Sequence, residues 1–197
     1  LSRNIDANLI ENAIRGDAAA FNEVYMHLRN PVYGFANRML GVNSAAEDIT
    51  QETFIFFIEH PEKYLQERGS LLAFLCGVAR HRIMHYLRKN HNRMEICMDA
   101  IDDYVEPIDE ARRDPLKVLL DNEIALKIEE SIAMLPPLQR EVLILREIQE
   151  LSYEEIAKII EANTSTVKIR LYRARRTLAC RLAPYISYER KNYHAVL

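Results

Sequence analysis

The stretch from Ser152 to Arg176 leaves this chain the least conformational freedom. Ser152 followed three residues later by Glu155 reads as a capping box, in which hydroxyl and carboxylate satisfy backbone N–H groups at a helix start. Such an N-cap is worth about 1 kcal/mol. Ile156, Ile159 and Ile160 then form an apolar stripe, and Asn163 and Thr164 interrupt it. Val167, Leu171, Ala174 and Leu178 resume the stripe at spacings of four, three and four, as one face of a second helix. The stretch therefore predicts two helices joined by a tight turn.

Away from the second stripe lie Ser165, Thr166, Ile169, Tyr172, Arg173 and Arg176, flanked by Lys168, Arg170 and Arg175. Six Lys or Arg residues and no acid occur between Lys168 and Arg181. Small hydroxyls and arginines backed by an apolar stripe suit a helix in a DNA major groove, where some side chains read base edges and cations meet phosphates. A solvated basic helix on any bundle is the plainer alternative. Cap, turn and charge agree on DNA.

The rest of the chain is consistent with an all-α protein. Its 197 residues suffice for two small domains, and five glycines, no tryptophan and no sustained alternating pattern argue against sheets. The net charge of −3 hides segregation. Residues 91–121 carry 4 basic and 9 acidic groups, which makes the middle an acidic, polar tether. Between Gly69 and Met94 the only charged side chains are Arg80, Arg82, Arg88, Lys89 and Arg93, a second basic patch far from the first in sequence. Cys76, Cys97 and Cys180 form no CxxC pair, and no signal peptide or membrane-length apolar run is seen, so a reduced, cytoplasmic protein is expected. Cys76, His81 and His85 lack a close fourth ligand for a metal. No phosphate-binding Gly loop or nucleophile and base pair speaks for an enzyme, and no cofactor is expected.

Several local signals divide the first half. Asp17 caps a helix with core stripe Phe21, Val24, Tyr25 and Leu28, Pro31 permits a new start, and Gly41 closes the segment. Ser44 with Glu47 reads as a capping box for a helix from about Ala45 to Glu59. On it Ile49, Thr53, Phe56 and Phe57 share one face. Asp48, Gln51, Glu52 and Ile55 share another, where an apolar residue ringed by polar ones resembles the centre of an interface. Pro61 to Ser70 reads as a loop with Ser70 as the next cap, before a long helix with buried Leu71, Leu72, Leu75, Val78 and Ala79. Tyr64 and Phe74 lie near its basic side, where aromatics beside cations suit single-stranded nucleic acid, although core packing is the simpler role for Phe74. Asp114 and Pro115 restart helix, with a stripe of Leu116, Leu119, Leu120, Ile124, Ile128, Ile132 and Leu135 up to Pro136 and Pro137. Leu138, Val142, Leu143 and Leu145 begin another helix, and the tail after Pro184 carries no clear signal.

Together these motifs resemble one family. Gly16-Asp17 with Ala20-Phe21, the run Ala46 to Phe54, Arg68-Gly69-Ser70, Leu135-Pro136-Pro137 with Gln139 to Val142, and Leu151 to Ala157 through Thr166-Val167-Lys168 and Arg173-Ala174-Arg175 resemble bacterial sigma factors of the extracytoplasmic-function group. The resemblance implies a noncatalytic σ70-like factor of two small helical domains joined by a flexible acidic linker. Its expected divisions are a region 2 domain at 7–92, a linker at 93–114, a region 4 domain with the helix-turn-helix at 115–183, and a tail at 184–197. It also implies core RNA polymerase (the β′ coiled coil and the β subunit) and promoter DNA as partners, with an anti-sigma factor as a further candidate. A stand-alone helix-turn-helix regulator of duplex DNA is the alternative.

By the same resemblance, Asp48, Gln51, Glu52 and Ile55 would grip polymerase. Lys63, Tyr64, Arg68, Arg80, Arg82 and Arg88 would hold the −10 element. Ser165, Thr166, Lys168, Ile169, Arg170, Tyr172, Arg173 and Arg176 would serve the −35 element. The chain departs from the family at Phe74-Leu75, where Trp-Leu is usual, and at Ile169, where a small polar residue is commoner and an isoleucine could favour a thymine methyl. It also has Glu161 where the turn often has Gly, which predicts a turn without positive φ.

Overall fold

The chain is described from a computed structural model covering residues 5–94 and 115–193, with side chains within 5–89 and 124–185. The expected linker, except for residues 93 and 94, and the last residues of the tail lie outside the described residues. All regular structure among these residues is helical.

Asp6 caps a short helix, α1 (Ala7–Ile14), and Asp17 caps α2 (Ala18–Leu40) by accepting from the Ala19 and Ala20 amides at 2.8 and 3.2 Å. Gly41 ends α2 in the left-handed region, at φ 69°. Pro31 does not start a new helix as the sequence suggested; it sits inside a continuous α2. A proline there forfeits one backbone hydrogen bond, but buried Leu28, Val32, Phe35 and Met39 keep the same face against the core on both sides of it. The next helix, α3 (Asn43–Glu59), also differs from expectation. Its N-cap is Val42, with no side-chain cap bond, so the Ser44 and Glu47 box does not form.

Two 3-10 turns, Pro61–Lys63 and Gln66–Arg68, lead to α4 (Leu71–Met94). Ser70 caps it as expected, its Oγ accepting from the Ala73 amide. Leu71, Leu72, Leu75 and Ala79 are buried, whereas Val78 is only half-buried. These helices close over Phe35, Phe57, Leu75 and Ile83.

The second half runs through α5 (Pro115–Ala133), α6 (Pro137–Leu143), a π-turn at Ile144–Ile148, α7 (Tyr153–Ile159) and α8 (Thr164–Tyr193). Val142, Leu145, Ile156, Val167, Leu171 and Ala174 form its core. Ile132 and Leu135 are buried as expected, but Ile128 and Leu138 are exposed. The capping box is present in full: the Glu155 amide donates to Ser152 Oγ, and the Ser152 amide donates to Glu155 Oε2 at 2.9 Å. Asn163 caps α8 by accepting from the amide and hydroxyl of Thr166.

Glu161, in the turn between α7 and α8, has φ 55°, contrary to the expected turn without positive φ. Geometry overrode composition here: the Ala162 amide reaches back to the Ala157 carbonyl at 2.9 Å, and that closure requires a left-handed residue. Such a conformation costs a non-glycine residue about 1 kcal/mol. Glu161→Gly should therefore raise the urea midpoint of the full chain, by up to about 1 kcal/mol of stability; a lowered midpoint would show that the Glu161 side chain compensates for its backbone.

Candidate polymerase and nucleic-acid surfaces

Three surfaces carry the sequence candidates. On α3, the buried side Ile49, Thr53 and Phe57 faces the core, which turns Asp48, Gln51, Glu52 and Ile55 outward together. Ile55 is 51% exposed. Ile58, three residues further along, is 56% exposed and extends the apolar centre. The i, i+3 spacing of Ile55 and Ile58 is present in the sequence.

The second surface lies along the 61–70 turns and α4. Lys63 Nζ and the Arg82 guanidinium stand 4.8 and 5.5 Å from the centre of the Phe56 ring, so two cations flank one aromatic. Arg82 also donates to Glu52 at 2.8 Å, linking this surface to the α3 face. Lys63, Arg68 and Arg88 are exposed. Tyr64 is not part of an exposed face: only 9% accessible, it packs edge-on against Phe74 at 5.7 Å, and burial pushes its phenol pKa up. Phe56, grouped from the sequence with Ile49, Thr53 and Phe57 on one face of α3, is only half-buried and takes the more open position.

The third surface is on α8. Val167, Leu171 and Ala174 are buried, and Ser165, Lys168, Ile169, Tyr172, Arg173 and Arg176 point outward. Ile169 and Tyr172 are 52% and 66% exposed. Two candidates are used internally instead. The Thr166 hydroxyl belongs to the helix cap, and Arg170 Nη1 donates to Glu141 at 3.2 Å. Arg175 pairs with Glu147, and Lys168 Nζ stands 5.7 Å from the Tyr153 ring centre.

Glu141 also receives Arg80 Nε from α4 at 2.7 Å. One carboxylate thus holds a candidate of the −10 set and one of the −35 set, and it is fully buried. Burial pushes its pKa up, against the hydrogen bond from Arg80 and the charges of Arg80 and Arg170. A second carboxylate joins the halves: Glu155 Oε1 accepts from the Ser70 amide at 3.0 Å and its hydroxyl at 2.6 Å, while Oε2 serves Ser152. Glu155 therefore serves the starts of both α4 and α7. Further links run from Lys158 Nζ to the Arg68 carbonyl, Arg38 to Glu129, Arg140 to the Met39 carbonyl, and Gln149 Nε2 to the Pro31 carbonyl.

The architecture defines a class, an all-helical protein whose two halves each present a basic face, one of them on the second helix of a helix-turn-helix. Family models for Sigma-70 region 2 and Sigma-70 region 4 match residues 24–93 and 125–178, together more than half the chain. The chain belongs to the sigma-70 family. It is 30% identical over 176 residues to the ECF RNA polymerase sigma factor BldN of Streptomyces coelicolor, covering 89% of this chain but 65% of BldN, less than two thirds of that relative's length. It is 29% identical over 180 residues to the ECF RNA polymerase sigma factor SigK of Mycobacterium bovis, covering 90% of this chain and 93% of SigK. The fold is shared with the sigma factor RpoE of Bartonella quintana, solved with the anti-sigma factor NepR, at a TM-score of 0.68 and 22% identity over 83% of this chain and 96% of that one.

Burial raises the Glu155 pKa, but the hydrogen bonds from Ser70 and Ser152 outweigh it, so the net shift is downward. A depressed carboxyl contributes stability that is present above its unfolded pKa and lost as pH falls through the folded one. Glu155→Gln should accordingly be less stable than the parent at neutral pH, and the gap should close on acidification below the ordinary carboxylate range. Urea unfolding of both proteins across that range checks this, and a gap independent of pH would contradict it.

Proposed function

We propose that this chain is an RNA polymerase sigma factor of the extracytoplasmic-function type, a specificity subunit that performs no reaction itself. It binds core polymerase, the β′ coiled coil through the outward face of α3 and the β subunit at a second contact, brings it to promoters, and assists strand separation. The observation that carries this reading is the co-occurrence, in family order, of the two sigma-70 regions with an exposed acidic and apolar α3 face and an exposed basic α8 face.

The residue roles follow from exposure and chemistry. Asp48, Gln51 and Glu52 surround Ile55 and Ile58 as a polar rim surrounds an interface centre. Lys63, Arg68, Arg82 and Arg88, with Arg80 once it is free, meet the backbone of the −10 strand beside Phe56. Ser165, Lys168, Ile169, Tyr172, Arg173 and Arg176 face the −35 element, with Ile169 suited to a thymine methyl. Region 2 occupies 7–92 and region 4 115–183. No helix among the described residues is long and apolar enough to cross a membrane. The protein acts in the cytoplasm, where polymerase is, and an anti-sigma factor is a further candidate partner.

Transcription reconstituted from core polymerase and the purified chain tests this. Core plus chain should start transcripts at promoters that neither uses alone; tight, specific protection of a promoter by the chain alone, with no transcript when core is added, would favour a stand-alone regulator. Asp48→Lys should weaken holoenzyme assembly and leave the helical content unchanged, and unaltered affinity for core would remove that assignment. Arg173→Ala should cost about 1 to 3 kcal/mol on the cognate −35 sequence and less on a scrambled one. Equal losses on both would make Arg173 a phosphate contact.

A further inference from the structure

We propose that the cavity between α4 and α7 is a binding site for a small organic anion of the nucleoside-phosphate class, a flat ring joined to phosphate. The cavity walls carry this assignment by themselves, whether or not any of the same residues also meets promoter DNA. The space is about 780 Å³, within the range of about 300–1,000 Å³ usual for small-molecule sites. Such sites combine an apolar lining with a few convergent polar groups, and both are present here.

The floor is apolar. Ala73, Phe74, Gly77 and Val78 of α4 lie on one side of it and Ile159 of α7 on the other. A methyl group at Gly77 would stand 3.9 Å from the Ile159 side chain, so the two helices close the bottom of the cavity where they meet. Phe56 and Phe74, both half-buried, add aromatic surface on which a flat ring can pack.

Around this floor the lining is cationic. Lys63, Arg68 and Arg82 come from one half of the chain and Lys158 from the other, against two carboxylates, Glu155 and Glu161. Both Glu155 oxygens already accept from Ser70 and Ser152. Arg82 pairs with Glu52, whereas Lys63, Arg68 and Lys158 form no ion pair with a carboxylate among the described residues. Lys158 Nζ donates once, to the Arg68 carbonyl at 2.8 Å, which leaves two of its three protons for a ligand. Ammonium and guanidinium groups bind phosphate through charge-assisted hydrogen bonds. Three uncompensated cations around one opening call for more than one negative charge, which a phosphate ester supplies and a single carboxylate does not.

Isothermal titration of the full chain with ATP, adenosine and inorganic phosphate, in magnesium-free buffer, tests the site. ATP should bind one to one, and adenosine and phosphate should each bind about tenfold more weakly or worse, because each lacks one of the two halves that the walls complement. Glu161→Lys and Glu150→Lys change the net charge identically. Both glutamates are exposed and left-handed, at φ 55° and 58°, but only Glu161 lines the cavity. Glu161→Lys should tighten ATP binding about fivefold relative to Glu150→Lys, a gain that a damaged fold does not produce, and Lys158→Glu should weaken it. No ATP binding, equal affinity in the two lysine variants, or phosphate alone binding as tightly as ATP overturns the site. So does a short oligothymidylate whose binding responds to Glu161→Lys while ATP stays unbound, since the cavity would then serve a nucleic-acid strand alone.

Discussion

Glu141 is ionisable, fully buried and far in sequence from Arg80, and most of the arrangement depends on how its charge is satisfied. A carboxylate in a protein interior is costly unless paired and hydrogen-bonded. Here each oxygen takes a different arginine, Arg80 from α4 on one and Arg170 from α8 on the other. The first pairing sets where α4 lies against α6; the second pins the helix that carries Ile169 and Tyr172 outward. The exposed ion pair between Arg38 and Glu129 is of a kind that contributes little alone. The buried one decides the geometry.

From that constraint the functional surfaces acquire their character. Because Arg170 is spent on Glu141 and the Thr166 hydroxyl on the α8 cap, the outward face of α8 is narrower than its composition suggests, and its apolar members count for more. On the other half, Arg82 bridges Glu52 and Phe56, so the candidate polymerase face and the candidate strand-binding face share a side chain. A change at either is felt at the other.

Much of this was legible in the sequence where the determining physics is local. The Asp17 and Ser152 caps, the Gly41 stop, the outward grouping of Asp48, Gln51, Glu52 and Ile55, and the buried stripe of α8 follow from backbone valence and helical period. Expectations failed where tertiary packing outweighs local preference. Pro31 sits inside α2 because its neighbours are buried on both sides, Ser44 loses the cap to a helix that starts earlier, and Glu161 accepts positive φ to close a turn. The partners of Arg80 and Arg170 were hidden for the same reason, since nothing local in α4 or α8 marks Glu141 as their common acceptor. Tyr64 read as a surface aromatic, but it is buried, and the half-buried Phe74, standing where Trp is usual in the family, packs against it at the edge of the core.

A double-mutant cycle between Arg80 and Glu141, using Arg80→Met and Glu141→Gln with urea unfolding of the full chain, tests this account most directly. A buried, hydrogen-bonded pair that organises both halves predicts a coupling energy above about 1.5 kcal/mol, against less than about 1 kcal/mol for the same cycle at the exposed Arg38 and Glu129. A coupling at Arg80 and Glu141 no larger than that of the exposed pair would contradict it.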